Sequence, residues 1–461
     1  MTSASFPIAE SPTLSKPEHA TLQVVDGANR PRPVDQLIIF SVIALLFFGP
    51  LAFGAVEVWS IFVFEAGAVA LLLAWGLYCC ITGQLSVVVN PIFAPMLAFA
   101  LLILAQLLAG QSAYYEATAR SALLYLAYSA MCFLVVQCLN KTSYLRYSAA
   151  ILISYGSLVA TFALLQGFSS NGRLYWLSAP LQGGWIYGPY VNHNHYAGLM
   201  ELLAPAALVF ALTCQAHGAR KTLAIVAASL MTCTIFLSSS RGGMLAFSFQ
   251  LLLLFWLLAK NRHYRKSMLT AGAFIVISIG ALAWLGGEKL LSRAVSLRAE
   301  AHSEISGGTR LQIDRDTLRM FSQRPMMGWG LGVFTTVYPK FRSFHSEFQV
   351  NAAHNDYLQL LAETGSLGFL IVIWFLVIVY RSALNKVSDW QKDINGALAL
   401  AMILGISGLL VHALIDFNLQ IPANAAIFYV FCTIAAMPAR FYNRQQRRPM
   451  AGSSENCGSW G

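Results

Sequence analysis

The sequence predicts an all-α polytopic membrane protein with about 12 transmembrane helices. Three observations lead there. The 461 residues are 57% hydrophobic and only 11% charged, with a mean hydropathy of +0.61, whereas a soluble chain is about 45–50% apolar and about a quarter charged. A single soluble core stops growing near about 250–300 residues, so a chain this long and this apolar has nowhere to hide its surplus in water. The apolar residues also come in runs of roughly twenty, the length that crosses a bilayer as a helix. Together these exclude a water-soluble enzyme, a disordered chain and a coiled coil.

In chain order, residues 1–36 are polar and contain proline, and read as a disordered cytoplasmic tail. No small-residue cleavage pattern follows the first apolar run, so that run reads as a retained span and not a signal peptide. The candidate spans are residues 37–55, 59–80, 91–109, 121–139, 147–168, 196–214, 223–239, 244–259, 268–286, 357–380, 397–414 and 423–437. Only Arg241 interrupts the uncharged stretch from 223 to 259, which is too long for one span and is read as a hairpin turning at Arg241. The resulting divisions are a tail at 1–36, nine spans at 37–286, a large loop at 287–356, three spans at 357–437 and a second tail at 438–461. Within the large loop, Arg310, Ile313, Leu318, Met320 and Phe321 mark an amphipathic helix over residues 309–323, suited to lying on the membrane boundary. No internal repeat is evident.

Charge placement tests the threading. With the N-terminus in the cytoplasm, eighteen of the 30 basic residues fall in cytoplasmic segments. The short outer loops hold only Arg120, Arg173 and Arg241, and the rest lie in the large loop, where the positive-inside rule is weak. Both termini are therefore expected in the cytoplasm. The net charge of +10 reads as a record of topology, and nucleic-acid binding is not needed to explain it. The eight cysteines show neither CxxC nor His-paired spacing, so no zinc site or disulfide framework is expected, and they read as small buried hydrophobes.

Polar residues gather on the outer face at five places. Leu237-Ser-Ser-Ser-Arg-Gly-Gly-Met244 sets Arg241 beside hydroxyls and side-chain-free backbone, which suits a phosphate. A snorkelling arginine that ends a helix would read the same way. Ser306-Gly-Gly-Thr-Arg-Leu311 places Arg310 at the opening of the amphipathic helix, with Thr309 a possible cap. The alternative there is a solvated charged face. Gly328-Trp-Gly-Leu-Gly-Val-Phe334 lacks the strand and the lysine of a nucleotide loop, and reads as a tight structural turn with an interfacial tryptophan. Asn351-Ala-Ala-His-Asn-Asp-Tyr357 puts His354 at the outer surface, where an imidazole can take a proton near neutral pH. Asn355 or Asp356 would fix its tautomer or simply cap the helix. Tyr187-Gly-Pro-Tyr-Val-Asn-His-Asn-His-Tyr196 offers Asn192, Asn194 and His195 to sugar hydroxyls or phosphate oxygens, with His193 of open role. No acid lies nearer in sequence than Glu201, so no metal is expected. Glu65, Glu201, Glu363, His412 and Asp416 fall within or beside spans, where a charge is costly unless paired or facing a cavity.

His354-Asn355, nine residues, Gly365, two residues, Gly368 resembles the histidine signature of the O-antigen ligase and polysaccharide polymerase superfamily of bacterial inner-membrane proteins. The Gly-Pro-Tyr-Val-Asn-His-Asn-His-Tyr-Ala element, the Ser-Ser-Ser-Arg-Gly-Gly turn, Arg310 and the Pro-Met-Met-Gly-Trp-Gly-Leu-Gly-Val-Phe run follow in the family's order. The resemblance implies metal-independent, cofactor-free, inverting glycosyl transfer at the periplasmic face of the inner membrane. The donor would be a glycan on undecaprenyl diphosphate, and the acceptor a sugar hydroxyl of lipid A-core or of a growing glycan. Carried onto this chain, Arg241 and Arg310 would hold the diphosphate and stabilise its growing charge, and His354 would orient or deprotonate the acceptor hydroxyl; Asn192, Asn194, His195 and Asn355 are expected to contact substrate. Twelve spans with one large late loop lean towards a ligase over a polymerase. A twelve-span transporter or flippase shares the composition, but usually shows repeats and broken midplane helices.

Overall fold

The computed structural model describes residues 23–25, 32–83, 86–169, 171–178, 185–214, 216–259, 269–280, 307–345 and 349–437. Most of the N-terminal tail, the C-terminal tail and residues 281–306, which take in the end of the ninth expected span and the start of the large loop, lie outside the described residues, as do the readings made of them.

The chain is a helical bundle, as expected of a polytopic membrane protein, because only intra-segment hydrogen bonding satisfies a backbone surrounded by lipid. Its helices are α1 (Pro33–Leu51), α2 (Val58–Thr82), α3 (Phe93–Leu108), α4 (Tyr115–Cys138), α5 (Thr142–Phe168), α6 (His193–Leu212), α7 (Gly218–Leu237), α8 (Arg241–Ala259), α9 (Leu269–Gly280), α10 (Gly307–Gln323), α11 (Phe334–Val337), α12 (Asp356–Leu384), α13 (Ile394–His412) and α14 (Pro422–Ala436). Among the described residues nine are long and apolar enough to cross a membrane; the shorter apolar α3, α9 and α14 occupy the other three expected positions. A two-stranded parallel pair, Gln23–Val25 with Ser86–Val88, was not anticipated.

Two helices form the centre. α6 and α13 are buried around almost their whole circumference and pack on each other, with α7, α8 and α14 around them. The outer helices α2 and α12 present Phe62, Leu73, Leu77, Leu370 and Trp374 outward, a surface suited to hydrocarbon. The α7–α8 hairpin turns where expected. Ser239 takes the left-handed conformation (φ 63°), and the Ser240 hydroxyl accepts from Gly243 N at 3.0 Å to cap α8.

The large loop folds back on the bundle. Ile313 and Met320 of α10 are fully buried against Val333, Phe334, Val337 and Tyr338. The apolar stripe of this helix thus faces protein, and only Leu311 and Leu318 stay exposed, in place of the membrane-boundary seat expected. α10 also starts at Gly307, two residues before the expected cap Thr309.

The glycine run is the structural turn that was expected, and it plugs a break in α12. Gly365 has φ 66° and ψ −170° in mid-helix, which frees backbone groups that the loop then pairs. Trp329 N and Gly330 N donate to Ala362 and Glu363 carbonyls at 3.0 and 2.9 Å; Ser366 N donates to Pro325 O at 2.8 Å. The Glu363 carboxylate accepts from Gly332 N and Phe334 N at 2.8 and 3.1 Å. Gln106 of α3 donates to Met327 O and Glu363 O and accepts from Leu331 N, tying loop and helix to a third element. Trp329 lies under the Arg324 guanidinium (4.1 Å) and donates to Met320 O.

Among the described residues six cysteines are free; five of them are buried as expected, while Cys80 is exposed. Cys214 is disulfide-bonded, which the sequence reading did not anticipate.

Gly365→Ala should destabilise the fold, because the added methyl would meet Met326 O at 2.3 Å and the backbone is left-handed there. A cost of about 1–3 kcal/mol is expected from the conformation alone. Thermal unfolding in detergent checks this, with Gly76→Ala as control: nothing lies within 4 Å of that helical position, so its melting temperature should hold or rise.

Candidate active site

The polar segments singled out in the sequence converge at one end of the bundle, on the turn between α13 and α14. His354 stands just before α12 with φ 54°, a left-handed backbone that is strained for a side-chain-bearing residue. Two contacts hold it there. Ala353 N donates to the Gln359 amide at 3.0 Å, and Asn355 caps α12 by accepting from Tyr357 N and Leu358 N. Asn355 is thus a helix cap, and its amide oxygen is occupied.

The residue that faces His354 is Asp416. Its carboxylate lies 3.7 Å from His354 Nδ1 and accepts from Phe417 N at 2.8 Å. Asp356, the other acid weighed for this role, instead accepts from Leu419 N and Gln420 Nε2 and so fixes the far side of the same turn. Phe417 sits between two imidazoles, with ring centroids 4.9 Å from His354 and 4.7 Å from His195. Burial alone would raise the Asp416 carboxyl; His354, His195 and His412 around it outweigh that and hold it well below the usual carboxylate range.

Both candidate arginines belong to this end. Arg310 Nη1 donates to Ile415 O at 3.1 Å, one residue from Asp416. Asp314, one turn along α10, feels both His354 and Arg310, though burial dominates and lifts its carboxyl. Arg241 opens α8 at the exposed surface and makes no hydrogen bond or ion pair among the described residues. Its place is set by Gly242, which lies directly against the His412 ring.

The α6 element divides into structural and open groups. Asn192 caps α6 by accepting from Asn194 N at 2.8 Å. His193 Nδ1 lies 2.8 Å from Ser238 O, linking this segment to the Arg241 hairpin. The half-buried Asn194 side chain makes no hydrogen bond among the described residues. His195 O accepts from Asn424, which also accepts from Tyr190 and donates to Asn418.

The sequence reading missed the partnerships of Asp416, Phe417 and the Glu201–His412 pair. Glu201, His412 and Asp416 stood out as costly charges, but nothing in the sequence says that residues two hundred positions apart are neighbours.

Two cavities meet at Gln420. One of about 300 Å³ is polar, lined by Ser121, Thr335, Asn351, Gln359, Glu363 and Phe417. The other, of about 530 Å³, is walled by Met96, Phe99, Tyr125, Phe375, Phe428 and Tyr429, and reaches Asp356.

Residues 226–373 match the family model described as O-antigen ligase, a stretch containing Arg241, Arg310, His354, Gly365 and Gly368. No curated protein matches the chain.

Because its charged state is favoured in the fold, Asp416 stabilises the protein above the ordinary carboxylate range. That contribution is lost as the pH falls through the range and below it. Asp416→Asn should therefore lower the melting temperature at neutral pH, and the gap to the wild type should narrow below about pH 4. Parallel melts across pH check this.

Proposed function

We propose that this chain, which belongs to the O-antigen ligase superfamily, transfers a glycan from undecaprenyl diphosphate to a sugar hydroxyl of lipid A-core at the periplasmic face of the bacterial inner membrane. The single observation that carries the reading is a base and a cation on one turn: His354 faces Asp416, and Arg310 is bonded to the adjacent Ile415.

The chemistry follows from the charges. His354 takes the proton of the acceptor hydroxyl as its oxygen attacks the anomeric carbon. Asp416 holds the imidazole in place and stabilises the imidazolium that forms. The anomeric carbon–oxygen bond to phosphate breaks, and undecaprenyl diphosphate leaves with the electron pair, inverting the anomeric centre. Arg241 and Arg310 offset the charge growing on that leaving group. Diphosphate leaves readily, so charge stabilisation matters more than an added acid. The exposed, uncommitted guanidinium of Arg241 suits an anion that arrives with the substrate, as do the unengaged amide of Asn194 and the nearby His195. The apolar cavity suits a lipid chain, and the polar one beside it suits sugar hydroxyls.

Growth of a lipid-linked glycan would use the same residues with a different acceptor. One large late loop favours the ligase. Transport is disfavoured because the polar groups gather at one end of the bundle.

His354→Ala should abolish transfer while the protein still inserts, a loss of about 10²–10⁴-fold for a general base. Arg241→Ala and Arg310→Ala should weaken donor binding or turnover, and unchanged kinetics in both would remove the diphosphate role. The deciding assay incubates purified protein with lipid-linked glycan and lipid A-core in the presence of a chelator. Product on lipid A identifies a ligase, longer lipid-linked chains a polymerase, and neither product reopens transport.

A further inference from the structure

We propose that the buried pair Glu201–His412 is a positioning pair, which sets Arg241, Arg310 and His354 at their mutual distances. The inference rests on the glycan-transfer reading above and names the part of the structure that holds that site together.

His412 Nδ1 donates to Glu201 Oε1 at 2.8 Å, and both side chains are almost wholly buried. Three contacts run from the residues of this pair towards the three proposed reactive side chains, the first through the His412 ring and the other two through the His412 backbone carbonyl. First, the His412 ring fills the space that a side chain at Gly242 would need: a methyl there would come within 2.4 Å of Cδ2 and Nε2. A methyl at Gly243 would stand 3.2 Å from Glu201 Oε1, so the first turn of α8 rests on both partners, and Arg241 is the residue before it. Second, His412 O accepts from Ile415 N at 3.0 Å, and the Ile415 carbonyl receives Arg310. Third, His412 O also accepts from Asp416 N at 3.1 Å, and Asp416 faces His354.

The pair is a poor device for stability alone. Among the described residues, Glu201 Oε2 and His412 Nε2 are buried without a hydrogen-bond partner, a cost that a packed apolar pair would avoid. Its geometry does what an apolar pair cannot. The bond fixes the azimuth of the imidazole, and that ring is the surface on which Gly242 sits. The Arg241 side chain makes no hydrogen bond or ion pair among the described residues, so this support at Gly242 is what sets its height above the turn.

The test uses the full chain in lipid nanodiscs, with undecaprenyl diphosphate lacking any sugar as binding probe and transfer from lipid-linked glycan as the rate. Glu201→Leu keeps the volume and removes the acceptor; probe binding should weaken severalfold and turnover fall on the order of 10²-fold, the scale of an ångström's misplacement. Glu201→Gln can still accept from His412 and should recover most of that loss. Gly242→Ala leaves the pair intact but displaces α8 from it, and should weaken probe binding in the same way even where Glu201→Leu fails to fold. The double variant Gly242→Ala/Glu201→Leu should be no worse than the poorer single, because both act on one contact. Wild-type binding in Gly242→Ala, equal losses in the Gln and Leu variants, or losses that multiply in the double would each overturn the proposal. Arg241→Ala is the separate control: if it binds the probe like the wild type, the diphosphate reading itself fails, whatever Glu201 does.

Discussion

A helix broken inside a bilayer must find partners for the backbone groups it frees, and the places of His354 and Arg310 depend on where α12 finds them. The break at Gly365 is filled by the 325–334 loop, with Glu363 and Gln106 closing the join. Lipid could offer nothing to those groups, each of which would cost several kcal/mol left bare. The plug therefore turns a liability into an anchor. It pins the loop that carries α11 and supports α10, and α10 carries Arg310. It also fixes the first two turns of α12, at whose start His354 stands.

The signature residues divide accordingly by physical task. His354 is the proposed base; Asn355 caps the helix that presents it. Gly365 admits the loop, and Gly368 clears Thr364, whose hydroxyl would meet an added methyl at 2.0 Å. A pattern that reads as one motif is thus one histidine and three residues that build its seat. The same holds for the α6 element, where Asn192 caps, Tyr190 anchors Asn424, and the buried His195 ring packs edge-on against Phe417.

Much of this was legible beforehand because hydrocarbon imposes simple rules. Span positions follow from runs of apolar residues, the hairpin at Arg241 from the length of an uncharged stretch, and the structural nature of the glycine run from the missing lysine. What escaped was everything that needs two distant segments at once. Asp416 closes a span and reads as one more misplaced acid, until the turn brings it 3.7 Å from a histidine 62 positions earlier. The stripe on α10 predicted a partner surface but not which one, since the side chains that suit a membrane boundary equally suit Val333 and Phe334. The parallel pair between Gln23–Val25 and Ser86–Val88 is likewise a long-range contact with only three residues on each side to announce it.

The strain at His354 ties these strands together. A left-handed backbone at a histidine costs on the order of 1–3 kcal/mol, and an ordinary helix start would avoid it. In an extended or helical conformation the imidazole would follow the direction of its neighbours, away from the turn that bears Asp416. Positive φ reverses the chain for one residue and turns the ring onto Phe417. Such a conformation persists only where its surroundings over-determine it, and here they do. The Asn355 cap and the Ala353–Gln359 bond hold either side, Asp356 locks the opposing turn, and the α12 plug keeps the whole helix from sliding. The place of the imidazole is thereby set by backbone that is capped on one side and bonded on the other, and not by a side-chain rotamer alone.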